Sequence, residues 1–72
     1  MDIEYGKEAD VVYIRLKKGV FAKNKKINDF AVVDLDSNND ILGLELLEVS
    51  KRIPQKSLSE VHLKNIVAVE VD

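Results

Sequence analysis

The stretch FAVVDLDSNNDILGLELL, residues 30–47, decides the fold of this chain. Two apolar runs flank Asn38 and Asn39, and asparagine tolerates the positive φ that a tight hairpin turn demands. Folding the chain there predicts an antiparallel hairpin with a two-residue turn, and a bulged three-residue loop with Asn39 in the left-handed region is the alternative. The predicted cross-strand pairs are Asp36 with Ile41, Leu35 with Leu42, Asp34 with Gly43, Val33 with Leu44, Val32 with Glu45 and Ala31 with Leu46.

This register separates the side chains of the hairpin onto two faces. One face is entirely apolar and consists of Ala31, Val33, Leu35, Leu42, Leu44 and Leu46. The other face is mixed, with Asp34, Asp36, Ile41 and Glu45 near the turn and Phe30, Val32 and Leu47 further back. A slip of one residue would place Asp34 and Glu45 on both faces, and a buried face specifies its register strongly, so we expect this pairing.

Alternation of apolar and polar residues predicts two more strands before the hairpin. Met1, Ile3 and Tyr5 mark the first, and the second consists of Val12, Ile14 and Leu16 with polar or aromatic residues between them. We interpret the lysine-rich residues 17–28 as a long connection, in which residues 20–22 are the place for a strand extension.

The C-terminal third predicts a short helix and a last strand. Residues 48–56 indicate a turn or short helical piece that ends before Pro54. Ser57 and Glu60 form a capping box and predict the start of a helix of about two turns, and the β-branched residues 66–71 predict a strand. The order β-β-β-β-α-β is an α+β fold: an antiparallel β-meander of four to five strands with one short C-terminal helix, in a single domain over residues 1–72.

Length and composition exclude several classes of protein. The 72 residues contain no cysteine, which excludes disulfides and thiolate chemistry, and 11 basic against 13 acidic residues give a net charge of −2. No apolar run reaches the ~18 residues of a membrane span, and the acidic start is unlike a signal peptide, so we expect a cytoplasmic protein that does not bind membranes. One core of this size supplies only about 3–5 kcal/mol, which favours oligomerisation, with a homodimer as the expected state.

An acidic pattern in the hairpin resembles a calcium loop. The chain matches such a loop at five places, which are Asp34, Asp36, Asn38, Ile41 and Glu45. Asn39 stands where the loop requires glycine, and both flanks are strand-like rather than helical. We therefore assign no metal and keep Asp34, Asp36 and Glu45 as the candidate ligands.

A basic segment precedes the hairpin. Its six cationic side chains are Arg15, Lys17, Lys18, Lys23, Lys25 and Lys26. Such a segment provides electrostatic contacts to an acidic protein partner, and the alternative is a nucleic-acid-binding regulator that uses residues 15–26. Nucleic-acid binding usually adds a groove-entering helix or stacking aromatics, and Phe21 is the only aromatic residue here.

The sequence offers no catalytic constellation. His62 is the only histidine, and the serines fall in the predicted turn and helix start rather than beside a base. No glycine-rich phosphate loop is present, so we predict a protein that is not an enzyme and binds no cofactor.

Two runs of sequence resemble a known family. The first run is ADVVYIRL, residues 9–16, and the second is VDLDSNNDILGLELLEVS, residues 33–50. Both are similar to the signature runs of the domain-of-unknown-function family 2283. The chain departs from the family pattern with Asn39 in place of glycine and with Leu44 and Leu46 in place of isoleucine. The resemblance implies a small bacterial or archaeal protein without assigned catalytic residues, and an antitoxin-like role beside a small toxin-like protein.

The mixed face of the hairpin leads to the functional hypothesis. One two-turn helix cannot cover both the apolar face and the half-apolar reverse, and exposed apolar patches of a few hundred square ångströms mark binding sites. We therefore expect a protein–protein interaction module that self-associates through an apolar sheet face, with Phe30, Val32 and Leu47 as interface anchors.

Overall fold

The structure, a computed structural model that describes residues 1–64, contains a five-stranded antiparallel sheet followed by two short helices. The strands are β1 (Asp2–Gly6), β2 (Val11–Arg15), β3 (Lys23–Lys26), β4 (Ala31–Leu35) and β5 (Ile41–Leu46), and the helices are α1 (Val49–Arg52) and α2 (Gln55–Leu58). The predicted α+β class, with an antiparallel sheet and a C-terminal helix, is confirmed. The predicted strand at residues 66–71 lies outside the described residues.

The strands are ordered β1-β2-β5-β4-β3 across the sheet. Only β3, β4 and β5 follow one another as in a meander, because β2 pairs with β5 instead of β3. The connection from β2 to β3 therefore passes the ends of β5 and β4. It is held there by the amides of Leu16 and Lys17, which donate to the Leu42 carbonyl at 2.8 and 3.3 Å.

The central hairpin, β4–β5, has the predicted register up to its turn. The confirmed pairs are Ala31↔Leu46, Val32↔Glu45, Val33↔Leu44 and Asp34↔Gly43. Beyond them a bulge pairs Leu35 with Ile41, so the predicted Leu35–Leu42 and Asp36–Ile41 pairs are wrong. Ile41 therefore lies on the same face as Leu35 and not on the mixed face, where it was predicted. The turn is the bulged alternative, because the Asp36 amide donates to the Asp40 carbonyl at 3.0 Å and Asn39 between them has a φ of 65°.

The fifth strand of the sheet is β3, within the segment that the sequence pattern assigned to a connection. The chain pairs with β4 at residues 23–26 rather than at residues 20–22. The sequence of β3 is Lys-Asn-Lys-Lys and all four residues are exposed, so it has no apolar alternation to indicate a strand. Lysine on an edge strand discourages pairing with an identical edge of another copy, because lysine would then lie opposite lysine.

The helices are shorter than predicted. The helical piece before Pro54 is confirmed as α1, which ends at Arg52. The helix start at Ser57 is wrong: α2 begins at Gln55, directly after Pro54, and the Ser57 amide already donates to the Pro54 carbonyl at 2.9 Å. Pro54 takes the position before the helix because its fixed φ suits a helix start and its missing N–H needs no partner there. No helix within residues 1–64 is long and apolar enough to cross a membrane.

The paired strands present two faces of different chemistry. We call the first the apolar face; it carries Ile3, Tyr5, Val12, Ile14, Ala31, Val33, Leu35, Ile41, Leu44 and Leu46. We call the second the mixed face; it carries Glu4, Tyr13, Arg15, Asn24, Lys26, Val32, Asp34, Gly43 and Glu45. The buried core residues are Val11, Val12, Val33, Leu35, Leu42 and Val49.

Candidate functional site

Two carboxyl groups meet on the mixed face. Asp34 on β4 and Glu45 on β5 are diagonal neighbours, since Asp34 lies opposite Gly43 and Glu45 opposite Val32. Asp34 Oδ1 is buried and accepts no hydrogen bond from the described residues. A hydrogen bond with Asp34, together with burial and the negative charge of Asp34, raises the pKa of Glu45 to about 7. With its pKa raised to about 7, Glu45 can carry a proton near neutral pH, and a protonated Glu45 has a donor to offer to the Asp34 carboxylate.

The third candidate calcium ligand has a different role. Asp36 Oδ1 accepts the amides of Asn38 and Asp40 at 2.8 and 2.9 Å, which closes the β4–β5 turn. The structure therefore brings Asp34 and Glu45 together and commits Asp36 to the backbone. Within residues 1–64, no group of three or more acidic or histidine side chains is arranged to hold a metal ion.

A shallow cavity of about 330 Å³ lies beside the carboxyl pair. Tyr13, Asp34 and Gly43 are among its lining residues, and Arg15 lies opposite Gly43 on the neighbouring strand. A Cβ atom at Gly43 would lie 2.6 Å from the carbonyl oxygen of Ile14, so the close approach of β2 requires glycine at this position.

The chemistry available on the mixed face is proton exchange and hydrogen bonding. His62 lies elsewhere, exposed beyond α2, with Nε2 at 3.3 Å from Glu60 Oε2. The hydroxyls of Ser50 and Ser59 bond to Asp10 and to the Lys56 carbonyl. No hydrogen bond in the described part of the chain joins a serine to the histidine, as nucleophilic catalysis would require.

The apolar face is incompletely covered by the described residues. Ile3, Tyr5 and Ile41 are 46%, 44% and 49% exposed, although their neighbours on this face are apolar. The two helices have four residues each, and α2 contributes no buried side chain. A groove of about 710 Å³ continues this face towards β3 and is lined by Ile27, Val33, Leu35, Ile41, Lys23, Asn24, Lys25 and Asn39.

The three predicted interface anchors lie near the α1 end of the hairpin. Phe30, Val32 and Leu47 are each half-buried. The Arg52 guanidinium lies 5.1 Å from the centre of the Phe30 ring, and the Leu47 amide donates to the Phe30 carbonyl at 2.7 Å. Phe30 thus already has an internal partner, and the role of the three residues as anchors stays a prediction.

The basic segment is divided between two places. Arg15, Lys17 and Lys18 border the mixed-face cavity, while Lys23, Lys25 and Lys26 lie on β3. Three of these cations have acidic neighbours: Arg15–Asp2 at 3.9 Å, Lys17–Asp40 at 3.6 Å and Lys26–Asp29 at 3.1 Å. Lys23 and Lys25 lie on the apolar side of the sheet and Lys26 on the mixed side, so the lysines of β3 point in both directions.

A polar latch, which the sequence analysis missed, joins the β1–β2 turn to α1. The Asp10 carboxylate accepts from Ser50 Oγ at 2.7 Å and from Tyr5 Oη at 2.8 Å, and the Asp10 carbonyl accepts the Val49 amide at 3.1 Å. The hydrogen bonds from Ser50 and then Tyr5 lower the pKa of Asp10, and the bond to Asp10 raises the pKa of Tyr5. Contact between Asp10 and Ser50 spans 40 residues, which local patterns do not reveal.

The fold and the site together define a small α+β domain with a carboxyl pair on one sheet face and exposed apolar side chains on the other. The family model described as "Protein of unknown function (DUF2283)" matches residues 2–50, more than half of the chain, and the protein belongs to this family. No curated protein and no solved structure matches the chain.

The structure gives physical roles to the two runs that carry the family resemblance. Asp10 in the first run and Ser50 at the end of the second form the latch. Gly43 allows β2 to approach β5, and the neighbouring Asp34 raises the pKa of Glu45. These residues therefore hold the sheet and its helix together.

Proposed function

We propose that this protein is a non-enzymatic protein–protein interaction module that self-associates through the apolar face of its sheet. The exposure of Ile3, Tyr5 and Ile41 on that face supports the proposal most strongly. Burying such side chains against a second copy would be favourable by about 25 cal/mol for each Å² of apolar surface removed from water. A chain of 72 residues buries a small core, so association would add to a modest stability.

The size of the face indicates the strength of the association. Strands spaced about 4.8 Å apart, with about five residues each at ~3.3 Å, give a sheet of roughly 24 by 16 Å. Its projected area of roughly 400 Å² lies within the range of the largest apolar patches on monomers, which often mark binding sites. Stable complexes bury about 800 Å² per partner, so we expect a dimer that forms at micromolar rather than nanomolar concentration.

The charges at the sheet edges favour association through a face. The edge strand β1 carries Asp2 and Glu4, and the edge strand β3 carries Lys23, Lys25 and Lys26. Two-fold pairing of identical edges would place like charges opposite one another, which is destabilising. A symmetric dimer of this chain therefore uses a face of the sheet.

The mixed face is the alternative surface, with Phe30, Val32 and Leu47 as its anchors. These residues adjoin the carboxyl pair, and a dimer formed there would have to desolvate Asp34 and Glu45. Burial of charged groups is costly, which favours the apolar face. A small protein partner, of the kind that the family resemblance implies, would compete with the second copy for the same surface.

Sedimentation equilibrium with matched variants tests this proposal. At tens of micromolar, the wild-type chain is expected to show a mass approaching twice its 8.1 kDa. Ile3→Lys places a charge on the apolar face and is expected to leave a monomer, whereas Val32→Lys places the same charge on the mixed face and is expected to leave the dimer. Circular dichroism confirms that both variants are folded.

The reverse pattern, with Val32→Lys monomeric and Ile3→Lys dimeric, would move the interface to Phe30, Val32 and Leu47. A wild-type chain that sediments at 8.1 kDa throughout this range contradicts self-association.

A further inference from the structure

The outer edge of β3 is a second interaction surface, distinct from the two faces. We propose that this edge binds an extended acidic segment of a partner protein, which joins the sheet as an additional antiparallel strand. The inference deepens the proposed function, because it names a partner class for a protein that binds other proteins. Strand addition at an exposed sheet edge is a common mode of peptide recognition.

The backbone of β3 has hydrogen-bonding groups directed outward. The Ile27 amide donates to the Ala31 carbonyl at 2.9 Å, and in an antiparallel pair every second residue is bonded in this way. Lys23, Lys25 and Ile27 therefore direct their backbone groups towards β4, and Asn24 and Lys26 direct theirs to the outer edge. Within residues 1–64, β3 pairs only with β4. An incoming strand thus meets two amides and two carbonyls.

The side chains of β3 select an acidic strand. Its three lysines are exposed, and Lys23 and Lys25 have no ion-pair partner among the described residues. Acidic side chains directly opposite lysines on a neighbouring strand form favourable cross-strand pairs. The groove lined by Val33, Leu35 and Ile41 lies on the same side of the sheet as Lys23 and Lys25, so the side chains of the segment that face these lysines also border the groove.

A second copy of this chain fits the edge less well than a partner segment does. Its β3 would oppose lysine to lysine. Its β1 carries Asp2 and Glu4, but β1 and β3 run in the same direction, because four successive antiparallel pairings separate them. A sheet continued in this way would pair them in parallel and would not close on itself, which leads to fibres.

The test is an NMR titration of the ¹⁵N-labelled full chain with an octapeptide in which glutamate and valine alternate. We expect amide shifts confined to residues 22–27 and slower hydrogen exchange at Asn24 and Lys26. Binding should weaken as salt rises, because the lysines are exposed. The same peptide with lysine in place of glutamate is the control and should cause no shifts.

Three variants separate strand addition from simple charge attraction. Asn24→Pro removes an outward amide without breaking a bond to β4, and it is expected to weaken binding about tenfold. Lys25→Glu should weaken it to a similar or greater extent. Lys51→Glu makes the same charge change on α1 and should leave binding unchanged.

The proposal is overturned if millimolar peptide causes no shifts, if Asn24→Pro binds like the wild type, or if Lys51→Glu weakens binding as much as Lys25→Glu does. It is also overturned if an oligonucleotide shifts residues 22–27 and the peptide does not, since the basic segment would then bind nucleic acid. A chain that sediments as a monomer and binds the peptide contradicts self-association and leaves this inference intact, so the two failures are distinguishable.

Discussion

Gly43 shows how one residue sets the distance between two strands. The carbonyl oxygen of Ile14 occupies the space where a β-carbon would project from Gly43. Any side chain there would push β2 away from β5. Because β1 pairs with β2, the whole β1–β2 hairpin would be displaced. Glycine at this position is required by packing between strands.

We predict that Gly43→Ala lowers the free energy of unfolding by about 1–3 kcal/mol, the usual cost of overpacking. Gly6→Ala is the matched control, because its β-carbon would lie 3.6 Å from the Tyr13 ring, an ordinary contact. The control is expected to change stability by less than about 0.5 kcal/mol. Urea denaturation measures both, and equal losses would contradict this role of Gly43.

The Asp34–Glu45 pair predicts a pH dependence of stability. The pKa of Glu45 is about 7 in the folded chain against an ordinary value of 4.5, so the folded state binds more protons between these values. The stabilisation is complete below pH 4.5 and is lost as the pH rises through about 7. We expect a decrease of about 1 kcal/mol between pH 5 and pH 8, less than the full linkage value because Glu45 is partly solvated.

Urea denaturation of Glu45→Gln at both pH values tests this. The amide cannot ionise, so the decrease is expected to disappear. Glu8→Gln, at an exposed position of the β1–β2 turn, should retain it. A decrease of the same size in Glu45→Gln would assign the pH dependence to other groups.

Sequence patterns were sufficient to predict which residues pair in the hairpin, since Val33 and Leu44 could share an apolar face in one register only. They were not sufficient to predict the bulge at Leu42. Apolar residues occupy positions 41 and 42 alike, so neither register of the last pair exposes a polar group. The raised pKa of Glu45 was also missed, because it depends on a hydrogen bond with Asp34 and on partial burial, which spacing alone does not reveal.

At the scale of elements, the Asp10 latch connects the first hairpin with α1. We predict that Asp10→Asn and Ser50→Ala each lower the melting temperature, and that the double variant loses less than the sum, because both remove the same hydrogen bonds. Because its pKa is lowered, the contribution of Asp10 is present above pH 3.8 and is lost as the pH falls through the folded value. Additive losses would contradict a direct coupling between the two side chains.

Val49 anchors α1 to the sheet, since its side chain is fully buried. We predict that Val49→Ala costs about 2 kcal/mol, which for a domain of this size lowers the melting temperature by about 10 °C. Val20→Ala removes the same methyl groups from an exposed residue and is expected to have no measurable effect. Calorimetry that found equal changes would contradict the anchoring role of Val49.

Elements were predictable where side chains alternate between water and the core. β1, β2, β4 and β5 met this condition, and their strands are confirmed. β3 did not, because a lysine-rich edge strand is exposed on both sides and its pairing depends on β4. The capping box at Ser57 failed because Pro54, three residues earlier, provides an earlier helix start.

At the scale of the whole molecule, the order of the strands explains why a face is exposed. The pairing of β2 with β5 joins the β1–β2 hairpin to the other three strands and makes one sheet of five strands. The described helices that could cover this sheet are two segments of four residues each. The short length of the chain was sufficient to predict that it associates with a second protein molecule. The strand order adds that the apolar side chains of β1 lie far across the sheet from those of the β4–β5 turn.

Isotope-filtered nuclear Overhauser spectroscopy on an equal mixture of ¹³C-labelled and unlabelled chains tests the central claim most directly. Self-association through the apolar face predicts intermolecular contacts from the methyl groups of Ile3, Ile14 and Ile41. Spectra with no intermolecular contacts, or with contacts from Val32 and Leu47 alone, would contradict it.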